Sequence, residues 1–101
     1  MKTFADKIRE DRRLVMLRLL AEQPGYRMNS SVLHAGLHHL AVHATRDDVA
    51  TDLCWLKEQG LVVLDDVPEA PGLRIAALTG RGSDVVGGLS TVPGVSRPTA
   101  R

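Results

Sequence analysis

Between Thr45 and Leu64 the chain reads TRDDVATDLCWLKEQGLVVL. Thr45 and Asp48 have the spacing of a capping box, in which a hydroxyl and a carboxylate three residues apart each accept the other's backbone N–H. Val49, Leu53 and Leu56 follow at helical spacing. Gly60 supplies a left-handed stop. Leu61-Val62-Val63-Leu64 then turns at once into an apolar β run. Few small folds accept a capped helix that passes into a strand within two residues, so this stretch constrains the architecture more than any other.

The whole chain has 101 residues, which makes one domain of common size. Hydrophobic residues are 44% and aromatic ones only 3%, so the core must be built from Leu, Val, Ile and Ala. No apolar run approaches the roughly 18 residues that would span a bilayer. Leu14–Leu20 is too short and is broken by Arg18. The first ten residues mix acids and bases without a secretory apolar region, so a cytoplasmic protein with no membrane contact is expected. Cys54 is the single cysteine, which rules out an intrachain disulfide. Its mid-helix position suits a small packing residue better than a nucleophile.

Net charge is +1, but its distribution is uneven. Residues 1–28 carry seven basic and four acidic groups. Residues 29–43 carry all four histidines and no Lys, Arg, Asp or Glu. Residues 44–78 carry three basic and seven acidic groups, net −4. Residues 79–101 return to net +2.

Phe4, Ile8, Val15 and Leu19 fall on one face of a first helix spanning about residues 4–22. Its second half is apolar nearly all round, as in a helix buried on several sides or held by a partner chain. Pro24-Gly25 ends it. Asn29 or Ser30 can cap a second helix to about Val42, with Leu33, Leu37 and Leu40 as its core stripe. After a turn at His43-Ala44 comes the helix over 46–59, and the pair has helix-turn-helix spacing. Leu61–Asp65 and Leu73–Leu78 read as an antiparallel hairpin around a Pro/Gly-rich loop. Thr79 can cap a last helix carrying Val85, Val86 and Leu89, which four glycines weaken. The expected fold is mainly α: a winged helix-turn-helix with a three-helix core, a two-stranded wing and a C-terminal helix. Residues 1–90 would form the domain, and residues 91–101 an extended or disordered tail.

That order of elements resembles the winged-helix superfamily. Within it the chain resembles the small ArsR-like proteins of Mu-like transposable phages. The likeness is carried by Ile8 to Val15, Leu19-Leu20-Ala21-Glu22, Pro24-Gly25-Tyr26 and Asn29-Ser30-Ser31. It continues through Arg46-Asp47-Asp48-Val49 to Gly60-Leu61-Val62, then Leu78-Thr79, Gly82, Asp84-Val85 and Val92-Pro93-Gly94-Val95. The resemblance implies a dimer-forming DNA-binding fold. It says little of function, because a shared fold hosts many functions.

In such a motif the second helix enters the major groove. Its outward positions are then Thr45, Arg46, Asp47, Ala50, Thr51 and Cys54, of which Thr45, Arg46 and Thr51 are the candidates for base edges, with Arg46 suited to guanine and Thr51 to a thymine methyl. Ser30, Ser31 and Arg74 are placed to hold the DNA backbone. Asp47, Asp48, Asp52, Asp65, Asp66 and Glu69 oppose this, since affinity for DNA comes largely from neutralising phosphates, although Asp48 can be spent on the cap and Asp52 can flank the core. Arg9, Arg12 and Arg13, with Arg97 and Arg101, offer a second basic face. Interleaved acids make one-turn ion pairs among Lys2, Lys7, Arg9, Arg13, Asp6, Glu10 and Asp11 the stronger expectation.

Leu14, Leu17 and Leu20 face away from the Phe4–Leu19 stripe and are the candidate homodimer interface. Burial within the monomer is the alternative. Trp55 lies off the core stripe of its helix and is expected under the wing hairpin, with an interface anchor as the alternative. The pairs His34/His38 and His39/His43 stand one turn apart, yet zinc needs three or four ligands and no cysteine pair is present, so neither metal nor cofactor is expected. Nothing in the chain has the spacing of a catalytic constellation, and an enzyme is not expected. The leading function is a phage-type DNA-binding regulator, dimeric, acting on double-stranded DNA. The alternative is a winged-helix module for a protein partner, in phage assembly or host takeover, that leaves DNA alone.

Overall fold

The computed structural model describes residues 1–99. Helix α1 spans Phe4–Ala21, and a 3-10 turn at Pro24–Tyr26 leads into strand β1, Arg27–Asn29. Helices α2 (Ser30–His39) and α3 (Arg46–Glu58) follow. Strands β2 (Val62–Asp66) and β3 (Arg74–Leu78) form the wing hairpin, and α4 covers Gly80–Val86. The expected winged helix-turn-helix is present.

Each boundary has a local cause. Thr3 and Asp6 close a capping box on α1, and Asn29 caps α2 by accepting the Val32 N–H. Thr45 and Asp48 form the capping box of α3, both bonds at 2.9 Å. Gly60, at φ +75, ends α3 in a Schellman turn, with Leu61 N–H donating to Leu56 O and Gly60 N–H to Lys57 O. The same turn ends α2 at Ala41, which holds φ 59 without being glycine. That turn stops α2 three residues before the expected Val42.

The sheet has a third member that the sequence reading lacks. β1 pairs antiparallel with β3, giving the order β1-β3-β2, so the wing is anchored at the start of α2. Ala76 is the fully buried residue of β3, with Met28 and Leu64 beside it across the strands. Gly82 of α4 sits so close to Leu61 that a Cβ there would stand 2.2 Å from the Leu61 carbonyl oxygen. Any side chain at this position would force α4 off the sheet.

Helix α1 is turned over relative to the expected arrangement. Leu14, Leu17 and Leu20 lie in the monomer core, at 5%, 0% and 0% exposure, and form no dimer surface. Phe4 and Ile8 are 79% and 44% exposed. Both faces of this helix are apolar, and α2, α4 and the sheet all pack on the Leu14–Leu20 side or its flanks. Val15 and Leu19 are half-buried against the same core, and Leu19 fits beside Gly36 of α2. Leu40 and Leu89, expected in the core, are exposed.

The tail also differs. Residues 91–99 carry no helix or strand. Val92 and Val95 are nevertheless buried at 4% and 5%, so the segment up to Ser96 is packed rather than disordered. Arg101, offered above for phosphate contact, lies outside the described residues.

Candidate nucleic-acid interface

Helix α3 has two flanks with different chemistry. On one, Asp52 is 1% exposed and faces α1. Its Oδ2 accepts from Arg12 Nε at 2.6 Å and its Oδ1 from Arg13 Nε at 3.1 Å. Arg12 and Arg13 therefore pair across to α3 rather than along their own helix. The Arg13 guanidinium also lies 3.9 Å from the Trp55 ring centroid and donates to Gly94 O at 3.0 Å. Trp55 thus packs against α1 and the tail, not beneath the wing as expected. The one-turn pairs Lys7–Asp11 and Arg9–Asp6 do form, each at 3.2 Å.

Asp48 lies toward the same side, held by the cap. The Thr45 backbone N–H on its carboxylate keeps its pKa below the ordinary 3.8, so it stays ionised at the positive end of the α3 dipole. Two of the acids that oppose DNA binding are thereby occupied within the fold.

The other flank of α3 borders an open cleft of about 740 Å³. The start of α2 and the loop and base of the wing make its other walls. Four of the six sequence-predicted contact residues line it: Ser30, Ser31, Arg46 and Arg74. Among the described residues its only Lys, Arg, Asp or Glu side chains are those two arginines. Asp47, Asp65, Asp66 and Glu69 are exposed but stand outside it. Thr51 is exposed on α3 beyond the cleft wall, and Thr45 uses its hydroxyl in the cap.

Ser30 and Arg74 are joined. The Arg74 N–H donates to Ser30 Oγ at 3.2 Å, which ties the wing base to the first turn of α2. The Arg74 side chain is 42% exposed, with Nε 3.3 Å from Asp66 Oδ1 and Nη1 3.5 Å from Cys54 Sγ. An exposed pair of this kind is weak, and a phosphate can replace Asp66 as the partner of Arg74. Ser31 and Arg46 are exposed.

Ala50 and Cys54, outward positions of α3 in the sequence reading, also line the cleft, whereas the 70–73 loop is a wall that the reading missed. Pro71-Gly72 marked the turn but not where it folds. Among the histidines, His34 bonds to Ala44 O at 2.8 Å and so braces the α2–α3 turn. Among the described residues no three His, Cys, Asp or Glu side chains gather as a metal site. No helix among the described residues is long and apolar enough to cross a membrane.

No family model matches the chain. Two curated proteins do. One is uncharacterized protein gp26 of Escherichia phage Mu, 38% identical over 96 residues, 95% of this chain and 96% of that protein. The chain belongs to the family of phage Mu gp26. An uncharacterized protein of Haemophilus influenzae is 39% identical over 79 residues, 78% of this chain and 74% of that one. Among solved structures, two regulators from Streptomyces coelicolor share the fold. A MarR family transcriptional regulator in complex with DNA matches with TM-score 0.60 and 25% identity over 72% of this chain. AbsC, another MarR family transcriptional regulator, matches with TM-score 0.60 and 20% identity over 73% of this chain. The chain spans less than half of either regulator, 43% and 47%. Both belong to the MarR family and neither is an ArsR-type protein.

Proposed function

We propose that this protein is a small winged-helix transcription regulator of phage type that grips double-stranded DNA between α3 and the wing. One observation carries the reading: among the described residues, Arg46 and Arg74 are the only Lys, Arg, Asp or Glu side chains lining the cleft beside α3, although the surrounding segment is acidic overall. Arg46 stands at the N-terminal end of α3, where a groove-entering helix meets base edges. Ser31 and Arg74 flank it for the phosphate backbone. The likeness to a MarR family regulator solved with DNA agrees with this. The ArsR-like form of the reading rests on sequence resemblance alone. The protein would act in the bacterial cytoplasm, without cofactor or catalysis.

A homodimer belongs to the same reading, through a surface other than the one first expected. Phe4 and Ile8 leave an apolar strip on the outer face of α1 that a second copy would cover. Sedimentation at micromolar concentration should give the mass of two chains, and Ile8→Asp should give the mass of one. A single-chain mass for the unaltered protein removes the dimer.

The test of DNA binding is fluorescence anisotropy of a labelled mixed-sequence duplex pool at two salt concentrations. Affinity should fall with salt with a slope of about 0.9 per phosphate contact. With so few cleft arginines the slope should be shallow. No binding at low salt, with an intact fold, rejects the reading. A second reading has its own observation: Asp65, Asp66 and Glu69 are exposed along the wing and suit a basic protein partner. That alternative predicts capture of a partner that Asp65→Asn with Glu69→Gln abolishes, while Arg46→Ala does not.

A further inference from the structure

The chain from Gly87 to Thr91 is exposed and carries neither helix nor strand, and Gly88 takes φ +79. Beyond it the backbone docks again. Val92 and Val95 are buried, and between them Pro93-Gly94 makes a turn closed by Val95 N–H to Val92 O at 3.1 Å. Three polar bonds hold the segment to the body, beside the two valines that join the core. Ser96 N–H donates to Glu10 O at 3.2 Å, Ser96 Oγ donates to Asp11, and Gly94 O accepts from Arg13. The Ser96 hydroxyl is the chief cause of the lowered Asp11 pKa.

The fit at Gly94 is selective. Its φ is +101, and a Cβ there would stand 2.6 Å from Cη2 and Cζ2 of Trp55 and 3.3 Å from Nη1 of Arg13. Only glycine fits this backbone against the indole. Arg13 in turn bonds Asp52, on the same helix as Trp55. One guanidinium therefore touches the tail, the indole and the buried carboxylate of α3.

We infer that residues 91–97 are a detachable strap, and that the Arg13–Trp55 groove is a docking site for this chain's own Val-Pro-Gly-Val turn whose occupancy fixes α3 against α1. With the strap docked, Arg13 is held from the tail side and α3 presents Arg46 in one orientation. With the strap lifted, Arg13 loses its carbonyl partner, Trp55 meets water, and α3 loosens. The exposed glycine-containing linker is the hinge. Its effect on DNA rests on the reading proposed above; docking itself does not.

The full-length chain tests this. Gly94→Ala should leave a cooperative thermal transition but shift Trp55 emission to the red. A labelled peptide of residues 91–97 should bind the Gly94→Ala chain at least about tenfold more tightly than the unaltered chain, whose groove is filled. The same peptide carrying alanine at its Gly94 position should bind neither. In the unaltered protein, the Ser96 amide should exchange with solvent faster than the core amides of Leu53 and Leu56, because the strap opens below the global unfolding limit. Equal protection at Ser96 and Leu53 overturns the proposal without any variant. Unchanged Trp55 emission, or equal peptide binding by both chains, also overturns it. DNA anisotropy is the last arm: Gly94→Ala should weaken binding several-fold. If neither chain binds DNA while peptide capture succeeds, the DNA reading fails and the strap stands. If both bind DNA equally while the peptide is captured, coupling to α3 is rejected.

Discussion

The two flanks of α3 are built to opposite rules. Toward α1 the helix buries an acid between two arginines and lays a tryptophan against a third segment. Toward the wing it presents an arginine and small side chains to an open cleft. The first flank is desolvated and its polar groups are matched, so it fixes the helix. The second keeps its charges in water, free to change partner. A segment of net −4 can thus offer a basic face, because some of its acids point into the protein and others stand outside the cleft.

The sharpest way to break this contrast is Asp52→Ala. It leaves buried Arg13 and half-buried Arg12 without a counter-charge and should cost about 3–5 kcal/mol in urea denaturation. A loss below about 1 kcal/mol would mean that the buried flank is no more structural than a surface pair. The reciprocal change on the open flank is Arg46→Ala. It should leave stability within about 0.5 kcal/mol. It should cost about 1–3 kcal/mol of DNA affinity, concentrated at one base position. Unchanged affinity removes Arg46 from the interface.

The smallest effect concerns acid. Asp6 and Asp48 have lowered pKa values chiefly through backbone N–H bonds in their caps, and Asp11 through the Ser96 hydroxyl. Groups whose folded pKa is depressed add stability above the unfolded value and lose it as pH falls through the folded one. Thermal stability should therefore be flat above about pH 5 and decline below about pH 4. A midpoint that rises on acidification would contradict the caps.

What the sequence made legible was local. The Thr45/Asp48 box, Gly60, the hairpin and Thr79 each signal through residues no more than a few positions apart, and each stands where expected. Helix α1 was read inside out because its two apolar stripes satisfy the helical period equally well. Only packing with α2, α4 and the sheet selects one. β1 is three residues long, too short to show alternation, and exists because β3 supplies its partner. Trp55 and Gly94 meet across a long stretch of chain, and the Arg13–Asp52 pair likewise, so no local pattern announces either contact. Four of the candidate contact residues reach the cleft because the helix-turn-helix order fixes the start of α2 and of α3, and the hairpin fixes Arg74 at the start of β3. Asp52 reads from sequence as able to flank the core, but its partners Arg12 and Arg13 lie on another helix and are not legible there.

Cys54 lines the cleft, is exposed, and is the one cysteine of the chain. A thiol-directed dye will therefore attach at a single position between α3 and the wing, with no engineered handle. Its rate of attachment becomes a footprint of the cleft. Whatever occupies that space, duplex or protein, should slow the labelling, whereas a ligand seated elsewhere should leave it unchanged.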